Sequence, residues 1–260
     1  MDTYTNDQEQ YMSRMNQTAQ NKFDLLKQHL TANAKVLDFG SGYSPDFIEA
    51  VVQTGASYTA YDSSPIVQEK LRTNGIDLLS EEELLSSKER FDIVFLSSVF
   101  HELVSYLSPD KYKQTLDTLV GILKSGGLLI VRDWANPNDD SISTITLKVK
   151  TKQEVFTWID ALESNNIFKQ VVTKGDTLYA SQRDMYQIVF HAVWGLGSLE
   201  RESKETYDVT DAIGSLSLTY GLMLVSYHAE YDESYLEHIK KYFSTRTLPF
   251  ATKGVWVFKK

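Results

Sequence analysis

The sequence predicts an α/β fold in which helices cover both faces of a mostly parallel, doubly wound sheet. Two observations lead to this prediction. Short apolar strands alternate with amphipathic helices through the first half of the chain, and the run FDIVFLSS is apolar at nearly every position. A strand of that kind is covered on both faces, as in a parallel sheet. In such sheets ligands bind beyond the carboxyl ends of the strands, near the point where the strand order reverses.

The first elements follow the alternation in order. An amphipathic helix is expected over residues 8–30, with an apolar stripe at Met12, Met15, Ala19, Phe23, Leu26 and Leu30. The segment AKVLDFG is a short buried strand, and SPDFIEAVVQ opens a helix with Pro45 in its first turn. A second strand, SYTAYDSS, is followed by a helix that Gly75 closes, and then by a short strand around IDLL.

The next elements are clearer in their apolar pattern. The strand FDIVFLSS precedes a helix that begins at Ser108 and Pro109 and is expected to end at Gly126 and Gly127. The run LLIVRD is another buried strand. The acidic run at residues 81–83 is expected to be a solvated helix start, since carboxylates stabilise helix N-termini.

The second half is less regular. Thr151 and Glu154 form a capping-box pattern before an apolar helix. RDMYQIVFHAVWG is either a buried helix or part of a lid, GSLERESKE at 197–205 is expected to be a mobile surface loop, and DVTDAIGSLSLTYG is expected to be one helix. Two strands, LMLVSYHAEY and KGVWVFKK, with a helix between them complete the chain. We therefore expect an N-terminal helical cap at 1–33, a sheet domain at 34–140 plus 206–260, and an insertion at 141–205 that forms an acceptor-binding lid over the strand ends.

Composition limits the range of partners. The 260 residues carry a formal net charge of −9, which disfavours non-specific attraction to nucleic-acid phosphates. There is no cysteine, which excludes disulfides and fits a reducing compartment, so we expect a cytoplasmic protein. The N-terminus is polar and no run reaches the ~18 apolar residues of a membrane span, so neither a secretion signal nor a membrane partner is expected.

The stretch VLDFGSG carries the strongest chemical signal. Gly40 and Gly42 lie where a buried strand turns into a helix, a place where glycine lets a ligand approach the backbone closely. A dinucleotide fingerprint would need a third glycine where Pro45 stands, so a pyrophosphate ligand such as a nicotinamide dinucleotide is disfavoured. Asp38, just before the turn, suits a cationic ligand.

The next strand adds a second acid. Asp62 follows YTAY, 20 residues after Gly42, and a carboxylate at that strand tip can accept hydrogen bonds from a ribose diol. As an isolated residue, Asp62 could also be a helix N-cap before Pro65. A ligand with a ribose and a positive charge but no phosphate indicates S-adenosylmethionine.

Four motifs in the same order and spacing, VLDFGSG, YTAYDSS, FDIVFLSSVFHEL and LKSGGLLIVRDW, resemble the class I S-adenosylmethionine-dependent methyltransferase family. They cover residues 34–134. The resemblance implies a Rossmann-like, seven-stranded, mostly parallel sheet with an antiparallel C-terminal strand, since the family's closing strand pair fits residues 222–260. It also implies an S-adenosylmethionine cofactor and methyl transfer to an acceptor.

The resemblance carries over to particular residues. The segment Asp38, Gly40, Ser41 and Gly42 would lie against the methionine part of the cofactor and hold its amino group. Asp62 would hold the ribose hydroxyls with Ser63 beside the adenine. The residue that contacts the adenine after the third strand would be Leu79, Ser80 or Glu81. Ser97 and Ser98 would lie beneath the sulfonium at the end of the fourth strand.

Two residues near the strand ends are candidates for catalysis. His101 is followed by Glu102, but the second histidine that a helical zinc motif needs is replaced by Ser105, so no metal is expected. His101 is a structural residue, a general base or a group that positions the acceptor. Asp133 either orients an acceptor or bonds the backbone of the next loop. His191 and Trp194 are expected to be core or lid residues.

The acceptor is left open by the sequence. The leading hypothesis is an enzyme that methylates N or O of an acceptor, and the acidic composition favours a small molecule over nucleic acid. Aromatic residues in the insertion could also stack a base of RNA, as in a tRNA-type methyltransferase. The segment SSVF stands where many base amino-methyltransferases carry Asp/Asn-Pro-Pro-Tyr/Phe, which argues against DNA. The rival of another class is an inactive regulatory protein that only binds the cofactor.

Overall fold

A computed structural model describes residues 19–86 and 90–260, and its centre is a seven-stranded sheet. The strand order is β3-β2-β1-β4-β5-β10-β9. The strands are β1 (Lys35–Phe39), β2 (Ser57–Tyr61), β3 (Asp77–Leu78), β4 (Phe91–Ser97), β5 (Leu123–Trp134), β9 (Met223–Glu230) and β10 (Lys253–Lys259). The predicted α/β class, with a mostly parallel sheet, is confirmed.

The register of the sheet puts five strand ends at one edge. Strand β1 pairs in parallel with β2 on one side and β4 on the other, so the order reverses between β1 and β4. Strand β4 pairs in parallel with β5, and β3 is parallel to β2. Strand β10 runs antiparallel to both β5 and β9, which confirms the antiparallel C-terminal strand. The carboxyl ends of β1, β2, β3, β4 and β5 therefore lie at the edge of the sheet where ligands bind in such folds.

Helices cover both faces of the sheet. One apolar core contains Val36, Ile93, Phe95 and Ile130 and packs under the first helices, whereas the other contains Leu37, Val94, Leu96 and Val131. This alternation along each strand is why the strands are apolar throughout. The helices of this part are α1 (Ala19–Lys27), α2 (Pro45–Gln53), α3 (Pro65–Thr73), α4 (Glu81–Ser86), α5 (Phe100–Tyr106) and α6 (Pro109–Ile122).

A second, three-stranded antiparallel sheet follows β5. Its order is β6-β8-β7, formed by Ile142–Thr146, Thr177–Ser181 and Val171–Lys174 respectively. Helices α7 (Lys152–Ser164) and α8 (Gln182–Ala192) pack on each other, and α8 also contacts β6 and β8. The fully buried α8 matches the helical alternative for RDMYQIVFHAVWG. The chain continues through α9 (Leu199–Glu202), α10 (Thr210–Gly214), α11 (Leu216–Tyr220) and α12 (Ser234–Tyr242).

Several predicted boundaries were wrong. Helix α6 ends at Ile122 rather than at Gly126 and Gly127, which lie inside β5. A Cβ on Gly127 would stand 3.0 Å from the carbonyl oxygen of Asp92 in β4, so that glycine allows the two strands to approach closely. The segment expected to be one helix over 208–221 forms two, α10 and α11.

The capping-box prediction was also wrong. The Thr151 side chain does not cap α7; its hydroxyl instead donates to the Lys241 carbonyl oxygen at 2.9 Å. The expected N-terminal helix is present from Ala19 and ends at Lys27, whereas Met12 and Met15 lie outside the described residues. Among the described helices, none combines the length and the apolar character that crossing a bilayer requires.

Candidate active site

The glycine turn after β1 is built for close backbone approach. Gly40 and Gly42 have φ angles of +68° and +58°, in the left-handed region that favours glycine. A Cβ on Gly40 would stand 2.5 Å from Cγ2 of Val99, the residue that precedes α5. The turn is thus held directly against the end of β4, at the point where the strand order reverses.

Asp62 closes this turn from the neighbouring strand. Its Oδ2 accepts the Gly42 N–H at 2.8 Å and its Oδ1 accepts the Ser64 N–H at 2.8 Å. Burial raises the pKa of Asp62, and these two backbone donors partly offset the rise. Each oxygen retains further acceptor capacity toward a ligand. Ser64, not Asp62, is the N-cap of α3, and Ser63 between them is exposed.

Asp38 lies buried beside a lysine that sequence reasoning missed. The Tyr58 hydroxyl donates to Asp38 Oδ2 at 2.7 Å, and burial raises the pKa of Asp38 to about 6 against the opposing effect of Lys22. Lys22 on α1 is only 4% exposed, and its ammonium makes no hydrogen bond or ion pair with any residue in 19–86 or 90–260. Burial lowers the pKa of Lys22 to about 8. A signal existed: Lys22 falls between Ala19 and Leu26 on the apolar stripe of α1.

The predicted serines occupy different environments. Ser97 at the end of β4 is buried, and its Oγ has no hydrogen-bond partner within the described parts of the chain. Ser98 has a φ of +58° and its N–H donates to the Arg132 carbonyl oxygen at 2.7 Å. Ser41 is buried and donates to the Gly42 carbonyl oxygen, whereas Ser80 is exposed and accepts the Glu83 N–H at the start of α4.

His101 and Asp133 form a buried pair across the ends of β4 and β5. His101 Nδ1 lies 2.8 Å from Asp133 Oδ1, and Asp133 Oδ2 accepts the Phe100 and His101 N–H groups at the start of α5. Burial opposes the imidazolium, but Asp133 and Glu205 outweigh it and raise the pKa of His101 to about 10. Although burial opposes ionisation of Asp133 as well, His101 lowers the pKa of Asp133 to about 2. Asp133 therefore bonds backbone groups and also orients the imidazole.

The segment expected to be a mobile surface loop at 197–205 instead covers this pair. Glu202, Ser203 and Glu205 are each less than 5% exposed. Glu205 Oε2 lies 3.4 Å from His101 Nε2, and Glu205 Oε1 accepts the Tyr106 hydroxyl at 2.9 Å. The prediction was wrong because charged residues in a sequence suggest exposure to solvent, whereas Glu205 finds its partners about 100 positions earlier in the chain and Glu202 accepts the Tyr207 hydroxyl.

Two further ionisable groups near the pair were missed. Burial raises the pKa of Glu102 to about 7, and Glu205 adds to the rise while His101 opposes it. Burial lowers the pKa of Lys253 to about 7, although Asp133 partly offsets this. Lys253 begins β10, opposite Trp134 in the ladder, and its ammonium lies 3.4 Å from the centroid of the Trp134 ring. Groups whose pKa lies near neutrality suit general acid–base chemistry.

Aromatic side chains surround the carboxyl end of β5. The Trp134 ring stacks on Tyr207 with centroids 4.2 Å apart, and Tyr207 stacks on His191 at 3.9 Å. The Trp194 Nε1–H donates to the Tyr207 hydroxyl at 2.8 Å. These rings, together with Tyr186, Phe190 and Tyr235, define the Trp134 cluster. His191 is fully buried, as expected for a core residue.

The residues at this edge fit S-adenosylmethionine. The open acceptor capacity of Asp62 suits a ribose, and the buried pair Asp38 and Lys22 offers opposite charges to the amino and carboxylate groups of a methionine end. The unsatisfied Ser97 Oγ lies at the end of the adjoining strand β4. No group of three or more histidine and acidic residues suited to a metal ion occurs in the described residues.

Comparison with known proteins agrees with this geometry. Residues 11–171 match the family described as a methyltransferase domain. A tRNA N(3)-methylcytidine methyltransferase of Schizosaccharomyces pombe is 30% identical over 110 residues, which make up 42% of this chain. The chain spans only about a third, 31%, of that relative's length.

Solved structures share the fold at low identity. The 1,6-didemethyltoxoflavin-N1-methyltransferase of Burkholderia thailandensis, bound to 1,6-didemethyltoxoflavin and S-adenosylhomocysteine, has a TM-score of 0.51 at 13% identity, covering 94% of this chain and 79% of that one. An S-adenosylmethionine-dependent methyltransferase of Archaeoglobus fulgidus has a TM-score of 0.51 at 13% identity, covering 93% and 94%.

Fold and site together define a class I S-adenosylmethionine-dependent methyltransferase. The sheet order, the glycine turn and the acid on the second strand are the features of that class present here. The chain belongs to the methyltransferase domain family, whose match covers more than half of its residues. The residues at the strand ends fit S-adenosylmethionine as the cofactor of that family.

Proposed function

We propose that this enzyme transfers a methyl group to a nitrogen or oxygen atom of a planar acceptor held beside the Trp134 cluster. The observation that carries this proposal is the His101–Asp133 pair, which lies between the glycine turn of the cofactor half and a segment of the insertion. The insertion at 141–205 and the N-terminal helix then act as the acceptor-binding cover, with 34–140 and 206–260 as the cofactor domain.

The roles of the cofactor-binding residues follow from their chemistry. Asp62 holds the ribose hydroxyls, with Ser63 and Ser80 toward the adenine and Ser97 and Ser98 beneath the sulfur. Gly40, Ser41 and Gly42 allow the methionine part to lie against the backbone. Asp38 takes its ammonium group and Lys22 its carboxylate, which gives each buried charge a counter-charge from the ligand.

When bound, S-adenosylmethionine supplies an electrophilic methyl group on a cationic sulfur. The protein's part is to hold the acceptor atom in line with that group, and such positioning is worth ~7–11 kcal/mol in favourable cases. The acceptor lone pair forms the new bond to carbon, the carbon–sulfur electrons stay on sulfur, and an acceptor proton leaves afterwards.

His101 and Asp133 serve this step by positioning. Because two carboxylates flank His101 and raise its pKa, the imidazole is protonated at neutral pH and both ring nitrogens are engaged. His101 would act as a general base only if Glu205 moved away from its Nε2 atom and that nitrogen lost its proton. Glu102, with a pKa of about 7, is better suited to accept the proton that leaves the acceptor.

Two acceptor classes have support. The net charge of −9 favours a small molecule, as does the fold of the toxoflavin-precursor methyltransferase. The curated relative acts on cytidine in tRNA, which favours RNA. Both offer a planar nitrogen-containing ring, and aromatic side chains bind either kind by stacking.

The test follows the methyl group. The enzyme is incubated with isotopically labelled cofactor and separate small-molecule and RNA fractions of a cell extract, and mass spectrometry identifies the labelled product. We expect label in one fraction, together with release of S-adenosylhomocysteine. Label in neither, with cofactor binding intact, would favour the inactive regulatory alternative.

The Asp62→Ala variant tests whether Asp62 binds the ribose of the cofactor. The variant loses the carboxylate that would accept hydrogen bonds from the two ribose hydroxyls. Because a hydrogen bond to a charged group contributes about 1.5–3 kcal/mol, cofactor affinity measured by calorimetry should fall by about 100-fold. Glu69→Gln removes one charge from the exposed side of α3 and should leave binding unchanged. Undiminished affinity in Asp62→Ala would show that Asp62 does not bind the ribose.

A further inference from the structure

A basic cleft lies where the insertion meets the C-terminal segment. Its volume is about 690 Å³, and Lys148 and Lys150 line one side while Lys241 and Tyr242 line the other. Val149, between the two insertion lysines, is 75% exposed. We call Lys148, Lys150 and Lys241 the lysine patch.

The lysine patch carries more positive charge than the one acid that lines the cleft can balance. All three side chains are exposed, and none forms an ion pair with a residue in the described ranges, whereas the neighbouring Lys152 and Lys240 pair with Asp176 and Glu237. The one acid that lines the cleft, Glu154, is a hydrogen-bond partner of Tyr242. On a chain of net charge −9, the cleft is therefore a local positive region suited to an anionic partner.

The two sides of the cleft are fixed to each other by backbone contacts. Leu147 and Phe243 form an isolated antiparallel bridge. The Lys148 N–H donates to the Tyr242 carbonyl oxygen at 2.8 Å, and the Ser244 N–H donates to the Thr146 carbonyl oxygen at 2.8 Å. These bonds hold the three lysine backbones in place, which lowers the ordering cost of binding.

Helix α12 connects the cleft to the Trp134 cluster. Tyr235, in its first turn, lies with its ring centroid 6.0 Å from that of Trp134, and Lys241 is in its last turn. Six residues at 1.5 Å each separate the two positions by about 9 Å along the helix axis. That distance corresponds to roughly two or three nucleotides at 3.4 Å per nucleotide of a strand.

We propose that the lysine patch binds the phosphate backbone of an RNA whose nearby base is the methyl acceptor. The inference rests on the proposed function and selects between its two acceptor classes. The positive charge of the three lysines matches a phosphate backbone, and α12 places Lys241 about 9 Å along the helix axis from Tyr235, a half-buried member of the Trp134 cluster. DNA is disfavoured because SSVF replaces the tetrapeptide of base amino-methyltransferases.

The test uses a fluorescein-labelled RNA hairpin of about 20 nucleotides and fluorescence anisotropy between 50 and 200 mM salt. The patch variant is Lys148→Gln, Lys150→Gln, Lys241→Gln. The control variant, Lys27→Gln, Lys111→Gln, Lys113→Gln, removes the same charge from α1 and α6, where each lysine already has an acidic partner.

We expect the wild type and the control variant to bind the hairpin with a steep salt dependence that the patch variant loses. Three phosphate contacts on a single strand change the log–log slope by about 2, so wild-type affinity should fall about 20-fold more than that of the patch variant over this range. The DNA hairpin of the same sequence should bind more weakly than the RNA.

Other outcomes overturn the inference. These are no RNA binding by the wild type, equal slopes for the wild type and the patch variant, an equal loss in the control variant, binding of DNA as tight as RNA, or full displacement of RNA by millimolar inorganic phosphate. Calorimetry with S-adenosylmethionine separates this failure from that of the proposed function. A wild type that binds the cofactor but not RNA refutes only the lysine patch, and one that binds neither refutes both.

Discussion

Gly40 shows how one residue joins the turn to the catalytic end of the sheet. Its backbone is left-handed, and Val99 occupies the space that a side chain would need. Both constraints come from packing across two strands, so the glycine was predictable from the motif but its contact with Val99 was not. The two costs can be measured separately.

Gly40→Ala should lower the free energy of unfolding by about 2–4 kcal/mol, because it adds a clash to the strain of a left-handed alanine. Gly75→Ala is the matched control, since Gly75 has a φ of +71° but nothing within 4 Å of its Cβ position, and it should cost only about 1 kcal/mol. Chemical denaturation measures both.

The double variant Gly40→Ala, Val99→Ala isolates the contact. Shortening Val99 should restore much of the stability that Gly40→Ala loses relative to Val99→Ala alone. If Gly40→Ala and Gly75→Ala lowered the free energy of unfolding by the same amount, the contact between Val99 and position 40 would contribute nothing to the cost.

A Lys22 variant tests directly whether the carboxylate of the cofactor binds at α1. We predict that Lys22→Met weakens S-adenosylhomocysteine binding by about 10-fold or more, the value of one charge-assisted hydrogen bond. Binding of 5′-methylthioadenosine, which lacks the amino-acid end, should change less than about twofold. Calorimetry with both compounds measures the difference.

The control for Lys22 is on the same helix. Lys27→Met removes an exposed lysine of α1 and should alter neither affinity. If Lys22→Met weakened both compounds equally, Lys22 would be supporting the fold of the site rather than binding a carboxylate.

At the scale of elements, α5 joins the end of β4 to the segment around Glu205. Besides the His101 and Tyr106 contacts with Glu205, the Thr206 N–H donates to Ser105 Oγ at 2.9 Å. The pKa of His101 is raised in the folded protein from 6.5 to about 10. Its charged contacts therefore stabilise the fold fully below about pH 6.5, and this contribution is lost as the pH rises toward 10.

His101→Gln should flatten this pH dependence. Between pH 6.5 and 9.5 the free energy of unfolding of the wild type should fall more steeply than that of the variant, by up to about 1.4 kcal/mol per pH unit for one proton. His228→Gln, on the exposed strand β9, should follow the wild type. Parallel curves for the wild type and His101→Gln would mean that the imidazole is neutral in the folded protein.

Elements were predictable where their signal is local. The strands β1, β2, β4 and β5 are apolar runs bounded by turns, and α8 is a buried apolar helix, so their patterns appear in the sequence itself. The course of residues 197–205 depends instead on His101 and Tyr106, which are distant in sequence. The end of α6 was misplaced because glycines that serve strand packing resemble helix terminators.

For the whole molecule, the class of the sheet was predictable because strands and helices alternate and four motifs resemble one family, whereas the strand order comes from the structure. The net charge was less informative about the site than the motifs were. A net charge of −9 describes the surface average, whereas Lys22 and Lys253 are buried and the lysine patch concentrates positive charge in one cleft. The proposed function therefore uses charges at particular places that the net charge does not reveal.

The crystal structure of the complex with S-adenosylhomocysteine tests the central claim most directly. We predict that the ribose hydroxyls bind Asp62, that the amino group lies near Asp38 and that the carboxylate binds the Lys22 ammonium. Electron density that placed the amino-acid end away from α1, or the ribose away from the tip of β2, would contradict it.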